Sequence, residues 1–590
     1  MKTTALYLLI IFASFSAKGQ YYFRGEVKDP KFNTLSNVKI ICHSNHSVSR
    51  SGRDGSFGIT LKQPYDSMTF SLDGYESVTK MVKSDSWNNV TLKPTSTGVI
   101  NSRNKLISVT KDKMQEGRAS WSISDETYFQ LVENEFVNTG KYPNTGFSLN
   151  VNKASYSNVR RFLKGDSPVP PDAVKIEELV NYFNLHYRAP SAGKIFNLES
   201  QITECPWNTK NELLYLNISA LKLNLKDIPP GNFVFLIDVS GSMDTDKKLP
   251  LIKSAFQLFL KNLRPVDTVS IVTYGGNVSI WMHPTSGAEK DSIAKRIEEL
   301  EARGDTPGES AIRLAYKVAA RSFIKNGNNR VILATDGDFN VGEVSEESLE
   351  DLIFQQRQTG VYLTCLGVGM GNLKDSKLQA LAKKGNGNYA YLDDLQEAEK
   401  TLVQELTQTM FAVAGDATFN INFNRSMVKE YRLIGFDNRK EALLEGESTL
   451  EGGEVGSGNT TLAIFEIVPT EENRLTKDFS KSENIATATI NYSFGEKKEK
   501  ASMEFLIPHN FKTFKETDKD LQFAAAVALF GLKLKQSPYA NTSWEMLYEF
   551  ANLTADKNNF LQKEFTELVE TAWRIYEPSN KKLKKKKKVN

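Results

Sequence analysis

An aspartate and two serines stand at alternate positions behind an apolar run. Asp238, Ser240 and Ser242 follow Phe233-Val234-Phe235-Leu236-Ile237. One carboxylate and two hydroxyls are hard oxygen donors, the kind that hold Mg²⁺ or Ca²⁺. Two later stretches offer the same chemistry. Thr306 sits in Gly304-Asp305-Thr306-Pro307-Gly308, and Asp336 in Thr335-Asp336-Gly337. On the residues alone a second reading of the first stretch stays open, in which its serines cap the helix that follows.

These donors need elements that bring them together. Phe233 to Ile237 reads as a strand buried on both faces, as in a parallel sheet. Leu249, Ile252, Phe256, Phe259, Leu260 and Leu263 then recur at helical spacing. Strands are expected at Thr268 to Tyr274, Val278 to Met282, Arg330 to Ala334, Val361 to Val368 and Tyr389 to Leu392. Helices are expected near 289–301, 309–325, 345–358 and 395–409. Strands alternating with helices from 229 to 409 predict a doubly wound, Rossmann-like α/β domain. In such a sheet ligands bind beyond the carboxyl ends of the strands, where all three donor stretches fall.

Asp238-x-Ser240-x-Ser242, then Thr306 in a Gly-flanked loop, then Asp336 after a strand, together resemble the metal-ion-dependent adhesion site of the von Willebrand factor type A domain. The resemblance covers residues 229–409. It implies a bound Mg²⁺ (or Mn²⁺) held directly by Ser240, Ser242 and Thr306, and directly or through water by Asp238 and Asp336. It further implies an open position that takes an acidic residue from another protein. Asp305 departs from the family pattern, which has a small residue there.

The flanks read differently. Lys2, the apolar stretch Ala5 to Phe15 and Ala17-Lys18-Gly19 fit a secretory signal over residues 1–19. Short alternating runs over 20–94 predict a β-sandwich of antiparallel strands. Its Arg24-Gly25-Glu26-Val27-Lys28-Asp29, Leu35-Ser36-Asn37-Val38, Asp54-Gly55-Ser56-Phe57 and Leu72-Asp73-Gly74-Tyr75 resemble the carboxypeptidase-regulatory-like domain, a non-catalytic module. A polar linker follows at 95–120. Residues 121–228 read as a mixed α+β segment with helices near 153–164 and 172–183. Residues 410–515 read as a β-rich domain and 516–578 as helical. Phe147 to Tyr156, Asn158 to Leu163, Ile176 to Phe183 and Tyr431-Arg432-Leu433-Ile434-Gly435 resemble segments flanking the adhesion-type domain in a group of bacterial envelope proteins.

Hydrophobic content of 40% and charged content of 25% suit globular domains. Net charge is +3, but seven lysines crowd the last ten residues, which leaves −4 for the rest of the chain. The basic charge is a tail (579–590), not a stripe on a folded face, which argues against nucleic-acid binding. Contact of that tail with an anionic membrane surface is the partner it suggests. Cys42, Cys205 and Cys365 are too few for a disulfide framework and read as core residues. Cys42-His43-x-x-His46 offers soft ligands without a second cluster to close a site.

Catalytic constellations are missing. There is no Gly-x-Ser-x-Gly elbow, no zinc-protease spacing among the five histidines and no phosphate loop of the Gly-x-x-x-x-Gly-Lys type. Gly367-x-Gly369-x-Gly371 follows a late strand and reads as a turn. The expectation is an exported, non-enzymatic protein of the periplasm or outer envelope that binds another protein through a metal. The alternatives are a metal-assisted hydrolase and a structural envelope scaffold.

Overall fold

The computed structural model describes residues 21–30, 34–52, 54–72, 75, 77–93, 126–224, 228–304, 308–337, 346–439, 452–471, 484–495 and 499–577. The signal segment, the linker, Asp305, Thr306 and the lysine tail lie outside them. The chain forms two compact units, divided at Arg103.

Among the described residues the first unit has seven strands in two sheets. One sheet runs Ser56–Leu61, Tyr21–Lys28, Trp87–Thr91; the other runs Val48–Arg50, Lys39–Cys42, Tyr65–Ser71, Val78–Lys83. Alternate residues such as Phe23, Ile40, Cys42, Ile59, Met68, Phe70 and Val90 face inward and form the core. One pairing departs from the antiparallel expectation. Tyr21–Lys28 and Trp87–Thr91 run parallel, with Val27 opposite Val90. Between them the chain crosses to the second sheet twice, returning first as the antiparallel strand Ser56–Leu61 and then, on the other side of Tyr21–Lys28, in the original direction. Cys42 points into the core while His43 bonds Thr69 on the exposed side, so the two cannot share a ligand.

The second unit is built around a six-stranded sheet, ordered Asn277–Ser286, Thr268–Gly275, Gly231–Asp238, Asn328–Thr335, Val361–Val368, Tyr389–Leu392. Every pairing is parallel except that of the edge strand Asn277–Ser286. The Gly231–Asp238 strand is buried along its whole length. Phe233, Phe235 and Ile237 face the helix Leu249–Asn262, where Phe235 stacks on Phe256 at 4.0 Å. Val234 and Leu236 face the helix Gly308–Arg321 through Ala311, Ile312 and Ala315. Each large apolar side chain so buried contributes about 1.5–3 kcal/mol. Helix Asp375–Lys384, which the periodicity does not announce, covers the same face as Gly308–Arg321 through Leu378 and Leu381.

The segments before and after this sheet do not form separate domains. Asn144–Ser148 pairs with Ala412–Phe423, and Glu212–Ala220 pairs with Thr460–Pro469. Phe147 lies opposite Phe419, their rings 4.8 Å apart. The region expected at 121–228 and the one expected at 410–515 therefore share two five-stranded sheets and a short two-stranded one, and the α/β unit is inserted between their strands. Helices Ala154–Lys164 and Ile176–Asn181 pack with Lys519–Leu534, Trp544–Thr554 and Phe560–Tyr576 in a further core. Lys519–Leu534 is apolar nearly all round and correspondingly buried.

No helix among the described residues is long and apolar enough to cross a membrane.

Candidate metal centre

The parallel register sets Asp238 level with Tyr274 and Ile237 level with Ala334. Asp238 and Asp336 therefore end on neighbouring strands at the carboxyl edge of the sheet, both fully buried. The chain then turns sharply. Gly241–Met243 is one 3₁₀ turn, and the next helix begins only at Leu249. Neither serine caps that helix: the residue before it is Lys248, without a side-chain cap. Ser240 and Ser242 instead bond each other, 3.1 Å apart, and Ser242 donates to Asp336 Oδ2 at 2.8 Å. The capping alternative is thereby removed.

Asp238 is held from both sides. Its Oδ1 accepts the Ser240 amide at 2.9 Å and its Oδ2 accepts the Thr335 hydroxyl at 2.8 Å. Burial is the main influence on its carboxyl and pushes it up to about 6, against the Ser240 hydrogen bonds; the Asp336 charge adds to the rise. A buried carboxylate pushed up in this way gains from any cation that joins it.

The loop that carries Thr306 begins beside the serines. The Gly241 amide donates to the Gly304 carbonyl at 3.0 Å, and the Arg303 amide to the Val239 carbonyl. Gly304 has φ +73, and a Cβ there would lie 2.6 Å from Gly276 Cα, so only glycine allows this approach. Thr306 itself lies outside the described residues.

Sequence reasoning missed two polar groups of this cluster. Lys248 Nζ donates to Asp336 Oδ2 at 2.9 Å and to Asn372 Oδ1 at 3.1 Å. Asn372 Nδ2 donates to the same Asp336 oxygen at 3.0 Å. Asn372 belongs to the loop after Gly367-x-Gly369-x-Gly371, which is more than a turn. The Gly371 amide donates to Glu126 Oε1, and Thr127 exchanges backbone bonds with Leu373 and Ser376. Glu126 in turn accepts Arg161 at 2.6 and 2.9 Å. A strap from the flanking segment thus fixes the loop that touches Asp336.

The donor set fits a hard cation of octahedral preference. Two oxygens on neighbouring corners of an octahedron, each about 2.1 Å from Mg²⁺, stand about 3.0 Å apart. The Ser240 and Ser242 hydroxyls stand 3.1 Å apart. Ser240 is buried and Ser242 exposed, so the cluster opens outward. A second grouping among the described residues, His186 with Asp518 and Asp520, lies outside the α/β unit. Its imidazole already faces the Glu199 and Asp518 carboxylates.

Comparison with known proteins agrees with this architecture. The family model described as von Willebrand factor type A domain matches residues 232–407, and one described as von Willebrand factor matches 122–215. A model described as Uncharacterized protein YfbK, C-terminal, matches 408–575. The Uncharacterized protein YfbK of Escherichia coli (strain K12) is 37% identical over 467 residues, 75% of this chain and 80% of that protein. The chain belongs to the YfbK-like family of von Willebrand factor type A proteins. The inter-alpha-trypsin inhibitor heavy chain H2 of Mus musculus is 28% identical over 205 residues, 33% of this chain but 21% of its own. Among solved structures, a von Willebrand factor type A protein from Catenulispora acidiphila covers 63% of this chain and 89% of its own, at 14% identity and a TM-score of 0.37. The α/β unit of this YfbK-like chain is its type A domain, and the strands around it belong to the segments that the other two models match.

Proposed function

We propose that this chain is an exported, metal-dependent protein-binding protein of the cell envelope. Its type A domain holds Mg²⁺ (or Mn²⁺) through Ser240, Ser242 and Thr306, with Asp238 and Asp336 as the balancing carboxylates. The metal supplies an electrophilic point for an acidic residue of a partner protein. The observation that carries this reading is the pair of serine hydroxyls, at octahedral spacing, over two buried carboxylates. Binding rather than catalysis is favoured because the groups bonded to those carboxylates are hydroxyls, amides and an ammonium. None of these bonds comes from a histidine or a further carboxylate, the usual general bases, and the ammonium is held as a cation by Asp336.

The signal-like stretch at 1–19 supports export, and the sandwich at 20–94 is assigned as a carboxypeptidase-regulatory-like module with no chemistry of its own. A pull-down from envelope extract tests the reading. Partners retained with Mg²⁺ and released by chelator are expected. The same partners with and without chelator would contradict it.

A further inference from the structure

The two carboxylates are not the only charges at the metal centre. Lys248 reaches Asp336 from the residue before its helix, and its side chain is 9% exposed. Its position is built. Gly369, at φ +83, lets the lysine stem lie against bare backbone: a Cβ there would stand 2.4 Å from Lys248 Cε. Asn372 accepts from the ammonium and donates to Asp336, so it holds both members of the pair in place. Burying an ammonium carries a desolvation cost of several kcal/mol, and a long side chain loses rotamer freedom when fixed. A purely apolar filling of this corner would avoid both.

We propose that Lys248 is a resident cation of the metal centre that weakens its hold on divalent metal and, in exchange, sets its charge to accept one carboxylate. This rests on the metal reading given above. Among the described residues the cluster carries Asp238, Asp336 and Lys248, a net charge of −1. A divalent ion raises it to +1, and a single carboxylate from a partner brings it to neutrality. Without Lys248 the same ion would leave the site neutral, with less pull on an anion. The lysine thus moves the two affinities in opposite directions. It repels the metal and attracts the partner's carboxylate. Gly369 and Asn372 act as positioning residues for it.

Calorimetry on the full chain tests this, with Mn²⁺ alone as the first probe and acetate, added to the Mn²⁺-loaded protein, as the second. Lys248→Met and Lys248→Gln are compared with the unaltered chain and with Asp238→Ala. Gln retains a donor toward Asp336 in case Met does not fold, and circular dichroism checks both. Mn²⁺ binding at least tenfold tighter in the Lys248 variants, with acetate binding several-fold weaker, is expected. Unchanged Mn²⁺ affinity, or both affinities moving in the same direction, would overturn the role of Lys248 while leaving the metal reading intact. Mn²⁺ binding by none of the four proteins would overturn both.

Discussion

The carboxylates around Arg160 and those around Ser240 are about equally buried, but they are closed in different ways. Asp393, Glu397 and Glu564 converge on one guanidinium. Arg160 Nε and Nη2 take both oxygens of Asp393, Nη2 also reaches Glu397 at 2.8 Å, and Nη1 reaches Glu564 at 3.1 Å. Every member is under a tenth exposed. Burial pushes the Asp393 carboxyl up to about 6 against the pull of Arg160, as it pushes Asp238 up to about 6. A raised carboxyl therefore does not mark the functional site by itself. The difference lies in the partners. At Arg160 a rigid fork from the chain itself supplies the counter-charge and ties helix Ala154–Lys164 to the type A domain and to the last helix. Around Asp238 and Asp336 the partners are hydroxyls, amides and one lysine, the lysine on Asp336, and the cluster opens beside exposed Ser242. The first arrangement suits a joint between segments, and the second suits a site for an ion from solution.

Breaking the joint should give the larger loss of stability. Arg160→Met would remove the cation shared by three buried carboxylates, leaving Glu564 its Lys164 contact and Glu397 its Tyr182 hydroxyl. A loss of about 3–5 kcal/mol is expected in the unfolding transition that includes the type A domain, read by urea denaturation. A loss below 1 kcal/mol would mean that the joint does not behave as a closed ionic cluster.

A second closed cluster should show the same logic through pH. Burial alone would raise the Glu405 carboxyl, but Lys153 at 3.1 Å and Lys400 at 2.7 Å outweigh it and hold it down at about 2. A carboxyl lowered in the folded state contributes stability that is full above its ordinary value, near 4.5, and lost as pH falls toward 2. Glu405→Gln should therefore cost up to about 3 kcal/mol at pH 7, with the gap to the unaltered protein closing between about pH 4.5 and 2. Denaturation curves at pH 7, 4 and 3 check this. A gap that stays constant with pH would contradict the assignment.

The amino-acid pattern makes the centre of the molecule legible because its signals are local. Val361 to Val368 and Tyr389 to Leu392 are strands at the expected residues, since short, largely apolar runs mark buried parallel strands. Asp238, Ser240, Ser242 and Asp336 come together because strand order puts their loops at one edge. What is not legible depends on distance in the chain. Nothing local to Asn144–Ser148 indicates that its partner lies beyond the whole type A domain, at Ala412–Phe423. Helix Asp375–Lys384 is short and polar apart from Leu378, Leu381 and two alanines, so its period is faint. The helix expected at 395–409 breaks into short pieces around a π turn at Lys400–Gln404, where Lys400 turns toward Glu405. Lys248 reads as one of many surface lysines, and only the fold shows the bare backbone at Gly369 that admits it.

The most direct test is the effect of divalent metal on thermal stability. Mg²⁺ or Mn²⁺ that binds only the folded chain raises the melting temperature by mass action, about 2.7 kcal/mol at a hundred times the dissociation constant. A rise is expected for the unaltered protein and for Arg160→Met where it folds, and none for Asp238→Ala. An equal rise in the unaltered protein and in Asp238→Ala would contradict the assignment of the open cluster as the metal centre.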